Sequence, residues 1–155
     1  MGKEIERKFL VVGNAWRELS EGELFRQGYI STVKERVIRV RTVGNKGTLT
    51  VKGITVRGSR LEYEYEIPLK DANAMLETSY CEQPIIEKRR YTITYGGFIW
   101  EVDEFQGVNK GLKVAEIELA DIDQEFPKPD WIGEDVTDDP RYFNSNLIAH
   151  PFTSW

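Results

Sequence analysis

Glu4, Glu6 and Lys8 stand at every second position of the stretch MGKEIERKFLV. In an extended strand alternate side chains share a face, so two carboxylates and one ammonium form a row. Carboxylate oxygens suit hard divalent cations, and ammonium or guanidinium groups pair with phosphate oxygens. The same alternation returns along the chain. Arg39 and Arg41 share a face, as do Lys52 and Thr50, and the glutamates 62, 64 and 66. Lys88 falls with Arg90, Glu101 with Asp103, and Glu116 with Glu118. Ile38 and Val40, Leu49 and Val51, Tyr63 and Tyr65, Trp100 and Val102, and Ala115, Ile117 and Leu119 take the opposite faces.

A charged row on one strand is ordinarily a solvated face. Two features argue otherwise here. The rows segregate by sign: Glu4, Glu6, Glu62, Glu64, Asp103, Glu116 and Glu118 against Lys8, Arg39, Arg41, Lys52, Lys88 and Arg90. A surface built for solubility mixes signs. Like charges also recur two residues apart, about 7 Å along a strand, which is unfavourable unless something neutralises each group. If the charged rows face inward, a cation would satisfy the acids and a polyanion the bases. A metal–polyphosphate complex supplies both.

The elements that would position these rows read mostly as strand: KEIERKFLVV, ELFRQGYIST, ERVIRVRTV, GTLTVKGI, SRLEYEYEIPL, IIEKRRYTITY, FIWEVDEFQG and GLKVAEIELAD. GNKG (44–47) and Gly96-Gly97 are hairpin signals. NAWRELS reads as a helical turn with Asn14 as N-cap, KDANAMLETSY as a helix with Asp71 near its cap, and the tail as a short helix from Pro140. The expected fold is mainly β (α+β): a closed, eight-stranded antiparallel β-barrel with a charged lumen and helices packed outside. Such a barrel has room for one small ligand. The 155 residues form one domain, 1–155, without repeats or linkers.

Composition narrows the chemistry. The net charge of -5 disfavours a generic nucleic-acid binder. Cys81 and His150 are the only cysteine and histidine, which excludes an intrachain disulfide, a His/Cys zinc site and an ordinary Cys/His nucleophile. Cys81, Trp16, Trp100, Trp131 and Trp155 read as packing residues and His150 as a surface residue. Any metal must be held by oxygen, which points to magnesium, manganese or calcium. There is no secretory signal and no apolar run of 18 residues. The expected location is the cytoplasm, with no membrane or nucleic-acid partner. The P-loop pattern is also missing, so phosphate would be held by side chains.

EIERK at 4–8 resembles the E-x-E-x-K signature of the CYTH superfamily, the triphosphate tunnel metalloenzymes. The resemblance continues in order through RVR (39–41), TVK ending at Lys52, EYE (62–64), KRR ending at Arg90, VDEF around Asp103, AEIE ending at Glu118 and the tail VTDDPRYFNSNLIA. Small bacterial members that act as inorganic tripolyphosphatases are similar to this chain. The resemblance implies an eight-stranded tunnel in which Lys8, Arg39, Arg41, Lys52, Lys88 and Arg90 bind triphosphate. It implies that Glu4, Glu6, Asp103, Glu116 and Glu118 bind metal and place the attacking water, with Glu62 and Glu64 as a further acidic pair. Tyr29 resembles a tyrosine that acts as proton acceptor; orientation and packing are its alternative roles. The expected cofactor is Mg2+ or Mn2+, as two ions.

The expected reaction is in-line hydrolysis of a linear triphosphate, tripolyphosphate ahead of nucleoside triphosphates, by a monomer or homodimer. Within the same family, a class IV-like adenylate cyclase, a thiamine triphosphatase or an RNA 5′-triphosphatase are alternatives. A cyclase needs a base pocket, and no residues here specify one. A non-catalytic triphosphate sensor could dispense with the acids, which are all present.

Overall fold

The computed structural model describes residues 2–155. Alternating sequences give the strands β1 (Gly2–Val11), β2 (Gly22–Ser31), β3 (Val37–Val43), β4 (Lys46–Lys52) and β5 (Ser59–Ile67). Pro68 ends β5, and the helix α1 (Leu69–Leu76) follows at once. Then come β6 (Ile86–Tyr95), β7 (Phe98–Phe105), β8 (Lys113–Glu118) and β9 (Ile132–Asp135). Gly96 and Gly97 join β6 to β7 with φ of 59° and 82°, the two left-handed positions that a type I′ hairpin demands.

The sheet order is β5-β4-β3-β2-β6-β7-β8-β1-β9, and β1 also pairs with β5. That last pairing closes the barrel. The first half of β1 meets β5, from Gly2↔Glu62 to Ile5↔Ser59, while Glu6 to Leu10 pair with β8. All of the pairings are antiparallel. The eight expected strands are present. The ninth, β9, was not anticipated; it takes up β1 at Phe9 and Val11, beyond the stretch that β5 pairs.

The apolar rows do face outward, but their cover differs from expectation. One helix, α1, packs Ala72 and Leu76 against Val40 and Leu49 of β3 and β4, with Cys81 buried beside them. Over β1, β6, β7 and β8 the cover is a loop and a 3-10 turn (Ala15–Glu18), burying Phe9, Trp16, Trp100, Val102, Ile117 and Trp131. Phe126 of that loop sets its ring edge-on to Phe9 and Trp100, at 6.0 and 5.7 Å between centroids. Such aromatic pairs each add roughly 0.5–1.5 kcal/mol beyond burial. Outside β5, Leu61, Tyr63 and Tyr65 remain exposed.

The tail is not a helix from Pro140. It forms 3-10 turns at Pro140–Tyr142, Asn144–Asn146 and Phe152–Ser154, because the extended backbone at Phe143 and Pro151 breaks any continuous helix. Asp139 caps the first of these turns, accepting from the Arg141 N–H. Asn14 makes no side-chain cap; its Oδ1 accepts from Arg17 instead. The tail seals one end of the barrel. Tyr142, Leu147 and Ile148 pack on Tyr29, Phe105 and Val114, and the Lys8 main chain bonds Val136 and Thr137 at 2.9 Å. His150 is exposed, and Trp155 packs edge-on to Tyr142 on the outside. Among the described residues no helix is long and apolar enough to cross a membrane.

Candidate active site

Barrel closure turns the charged rows into the wall of a cavity of about 880 Å3. From β1 come Glu4, Glu6 and Lys8; from β3, Arg39 and Arg41; from β4, Lys52. β5 contributes Glu62 and Glu64, β6 contributes Lys88 and Arg90, and β8 contributes Glu116 and Glu118. Tyr29 of β2 also lines it. Of the residues singled out from the sequence, only Asp103 stands behind this wall. It is fully buried, bound by Arg90 at 2.7 and 2.9 Å and by Lys88 at 2.7 Å. Both of its oxygens are thereby engaged by cations.

The bases are held individually. Lys8 Nζ donates to the Tyr142 carbonyl at 2.8 Å. Arg39 reaches Thr50 at 3.1 Å and Glu64 at 3.4 Å, while its Nε is buried without a partner. Arg60, two residues before Glu62 and also on the cavity wall, has a buried Nε in the same state. A guanidinium N–H stripped of water and left unpaired costs free energy that an anion would return. Lys52 pairs with both oxygens of Glu4, at 3.1 and 3.2 Å.

Charge crowding shifts the titrations. Burial, with Arg39 and Arg90 nearby, pulls the Arg41 guanidinium down to about 9. Burial pulls Lys88 down to about 7, with Asp103 opposing and Arg90 and Arg41 adding to the fall. Burial pushes the Glu6 carboxyl well above the usual carboxylate range, and Glu116 and Glu4 push it further. Burial also works against the charge on Glu116, but Lys8, a hydrogen bond with Glu6, Arg90 and Lys88 outweigh it and hold Glu116 well below that range. The two carboxyls are thus pushed in opposite directions, Glu6 towards its neutral form and Glu116 towards its charged form. Burial raises Glu62 and Glu118 as well, with Glu4 contributing to both.

Lys88 gives a pH-dependent expectation. In the empty site burial favours the neutral form of Lys88, against the Asp103 carboxylate 2.7 Å away, and a bound polyanion favours its charge. Binding of tripolyphosphate in chelator at pH 8 should take up a proton at Lys88, and affinity should fall by up to about tenfold per unit as pH rises. Calorimetry in two buffers of different ionisation enthalpy measures the uptake. K88R, which stays charged, should lose that contribution; an unchanged uptake would place the proton elsewhere.

Arg60 and two further contributors were missed from sequence. Gln27 is fully buried, and its Oε1 accepts from Arg41 Nε and Nη2 at 2.9 and 2.7 Å. Arginine only donates, so this fixes the amide orientation and leaves Nε2 to donate to the Tyr29 hydroxyl at 3.1 Å. Alternation from Tyr29 was the available signal; the pairing of Gln27 opposite Arg41 came only with the strand register. Asn144 enters from the tail, accepting from Lys88 at 3.1 Å. No local pattern marks it.

Among the described residues no three carboxylates converge closely enough to hold an ion by themselves. Magnesium takes one or two carboxylates and fills its shell with water and substrate phosphates. Glu6 and Glu116 line the cavity together and repel one another, so they fit such an ion, whose charge would offset theirs.

A closed antiparallel barrel whose lumen sets cations against carboxylates defines the class. The chain belongs to the CYTH domain family, whose model matches residues 2–150. It is 57% identical over 155 residues to the inorganic triphosphatase of Acetivibrio thermocellus, covering all of this chain and 99% of that protein. It is 35% identical over 152 residues to the inorganic triphosphatase of Nitrosomonas europaea, covering 93% and 95%. The crystal structure of the inorganic triphosphatase NE1496 superposes with a TM-score of 0.67 at 32% identity, over 93% of this chain and 96% of that one. The family is one of metalloenzymes, so a metal cofactor is implied.

Proposed function

We propose that this chain hydrolyses a linear triphosphate, with inorganic tripolyphosphate as its substrate, to pyrophosphate and phosphate. The observation that carries the reading is the closed lumen in which Lys8, Arg39, Arg41, Lys52, Lys88 and Arg90 line one cavity with Glu4, Glu6, Glu116 and Glu118. The naming of both curated relatives as inorganic triphosphatases supports it. The unpartnered N–H of Arg39 would donate to a phosphate oxygen, and the fixed cations would stabilise charge that grows on the transferring phosphoryl group. Gln27 aims Arg41, and Asp103 aims Lys88 and Arg90. This orients the donors before substrate arrives.

Glu6 and Glu116, with Glu4 and Glu118, would hold magnesium or manganese, one ion or two. When bound, the metal neutralises phosphate charge and makes water more acidic. Tyr29 is placed by Gln27 to orient a proton or a phosphate oxygen. The working location is the cytoplasm, as a monomer or homodimer without nucleic-acid or membrane partners.

Phosphate release from tripolyphosphate, ATP and pyrophosphate, with magnesium and with chelator, tests the reading. Metal-dependent cleavage of tripolyphosphate with pyrophosphate untouched is expected. Binding without release from any substrate would make the lumen a sensor's pocket. R41A should raise KM for every triphosphate by about 10–100-fold, the weight of one charged hydrogen-bonding pair. A change confined to nucleotide preference would put Arg41 off the phosphate path.

A further inference from the structure

Phe25 is an apolar ring on the inner face of the barrel, behind the charged wall of the lumen. Alternation along β2 puts it on the inner face with Gln27 and Tyr29, and it is 8% exposed. It belongs to none of the three buried apolar clusters. Its ring instead carries two cations: the guanidinium carbons of Arg41 and Arg90 lie 4.9 and 4.7 Å from its centroid. Both guanidiniums are held at other edges by Gln27 and Asp103, so the ring fixes their planes.

A second cavity of about 230 Å3 lies beyond this pair. The two cavities share Arg41, Glu64, Arg90 and Glu101, and Phe25 faces only the smaller one. Arg41 and Arg90 therefore form a partition, with Phe25 as its backing. The smaller chamber also holds Lys46 and Thr48, which could receive a further phosphate unit.

We propose that Phe25 is a positioning residue: it closes the lumen behind Arg41 and Arg90, stops an advancing phosphate chain there, and so fixes which phosphoanhydride bond is cut. This rests on the triphosphatase reading above. A linear tetrapolyphosphate exposes the difference. Water added across a terminal P–O–P bond yields phosphate and tripolyphosphate; across the central bond it yields two pyrophosphates. A firm stop presents one kind of bond, and an open partition presents both.

The test compares the wild type with F25A, F25L and F25Y by initial product distribution from tetrapolyphosphate, tripolyphosphate kinetics, calorimetric tripolyphosphate binding and Tm. The wild type should give one product set. F25L and F25A should give both and raise KM and Kd for tripolyphosphate about tenfold, with kcat within about twofold. F25Y, which keeps the ring, should match the wild type. F25L carries the test if F25A does not fold. A folded F25L with a single product set and unchanged KM and Kd overturns the proposal, as does a wild type that cuts both bonds. If the wild type binds tripolyphosphate without cleaving it, the functional reading fails. Phe25 is then judged on binding: weaker Kd in F25L but not F25Y supports its bracing role, and equal Kd values overturn it.

Discussion

E116Q should lower kcat for tripolyphosphate by about 10²–10³-fold, the scale seen when one charge-stabilising group is removed from a preorganised site. KM should move by less than about tenfold, because glutamine keeps the shape and the cation set stays intact. The reason lies in the charge of Glu116. Lys8, a hydrogen bond with Glu6, Arg90 and Lys88 favour its charged form against the cost of burial, and that charge suits a divalent cation. Steady-state kinetics across a magnesium titration measures the effect; full activity would remove Glu116 from the metal site. The sign of the pH dependence follows. Glu6 keeps its proton to a higher pH than an ordinary carboxyl, so metal must displace that proton. The magnesium requirement of the wild type should therefore rise as pH falls, while E116Q, lacking the acid that repels Glu6, should show a shallower dependence.

D103N should give the largest loss of stability. Asp103 is the buried counter-charge for both Arg90 and Lys88, and neutralising it strands two cations away from water. Breaking one side of such a pair costs about 3–5 kcal/mol. In a chain of this length that lowers Tm by roughly 6–20 °C. Asp103 is stabilising as an anion, since Arg90 and Lys88 overcome burial and hold it below its usual range; its contribution is lost as pH falls through that lowered value. Tripolyphosphate brings its own negative charge to the same cations, so its addition should recover more Tm in D103N than in the wild type. Thermal unfolding with and without tripolyphosphate checks both statements. A stable D103N that had lost only magnesium affinity would return Asp103 to the role of metal ligand that the family resemblance implies.

Much of this site was legible before any fold was known. Side-chain alternation is a local property of extended chain, so the rows Glu4-Glu6-Lys8, Arg39-Arg41 and Glu116-Glu118 could be sorted by face from spacing alone. Their segregation by sign, with apolar residues opposite, argued for closure with the charges inside, and the cavity wall carries those residues. The hairpin glycines at 44 and 96–97 were equally legible, because positive φ is a single-residue demand.

Partnership was decided only by the tertiary structure. Asp103 looks like Glu116 in sequence, yet the register of β6 on β7 sets Asp103 opposite Arg90, so its oxygens are taken by cations. Glu116 lies opposite Lys8 on β1 and keeps a face to the cavity. Gln27, Asn144 and Phe25 gain their roles from neighbours 14 to more than 50 residues away. The tail from Pro140, read as a short helix, closes one barrel end with 3-10 turns, and the stretch before it supplies an extra strand. Residue type and spacing determined which charges share a face. Strand register and chain closure, which sum over the whole barrel, decided which charges meet.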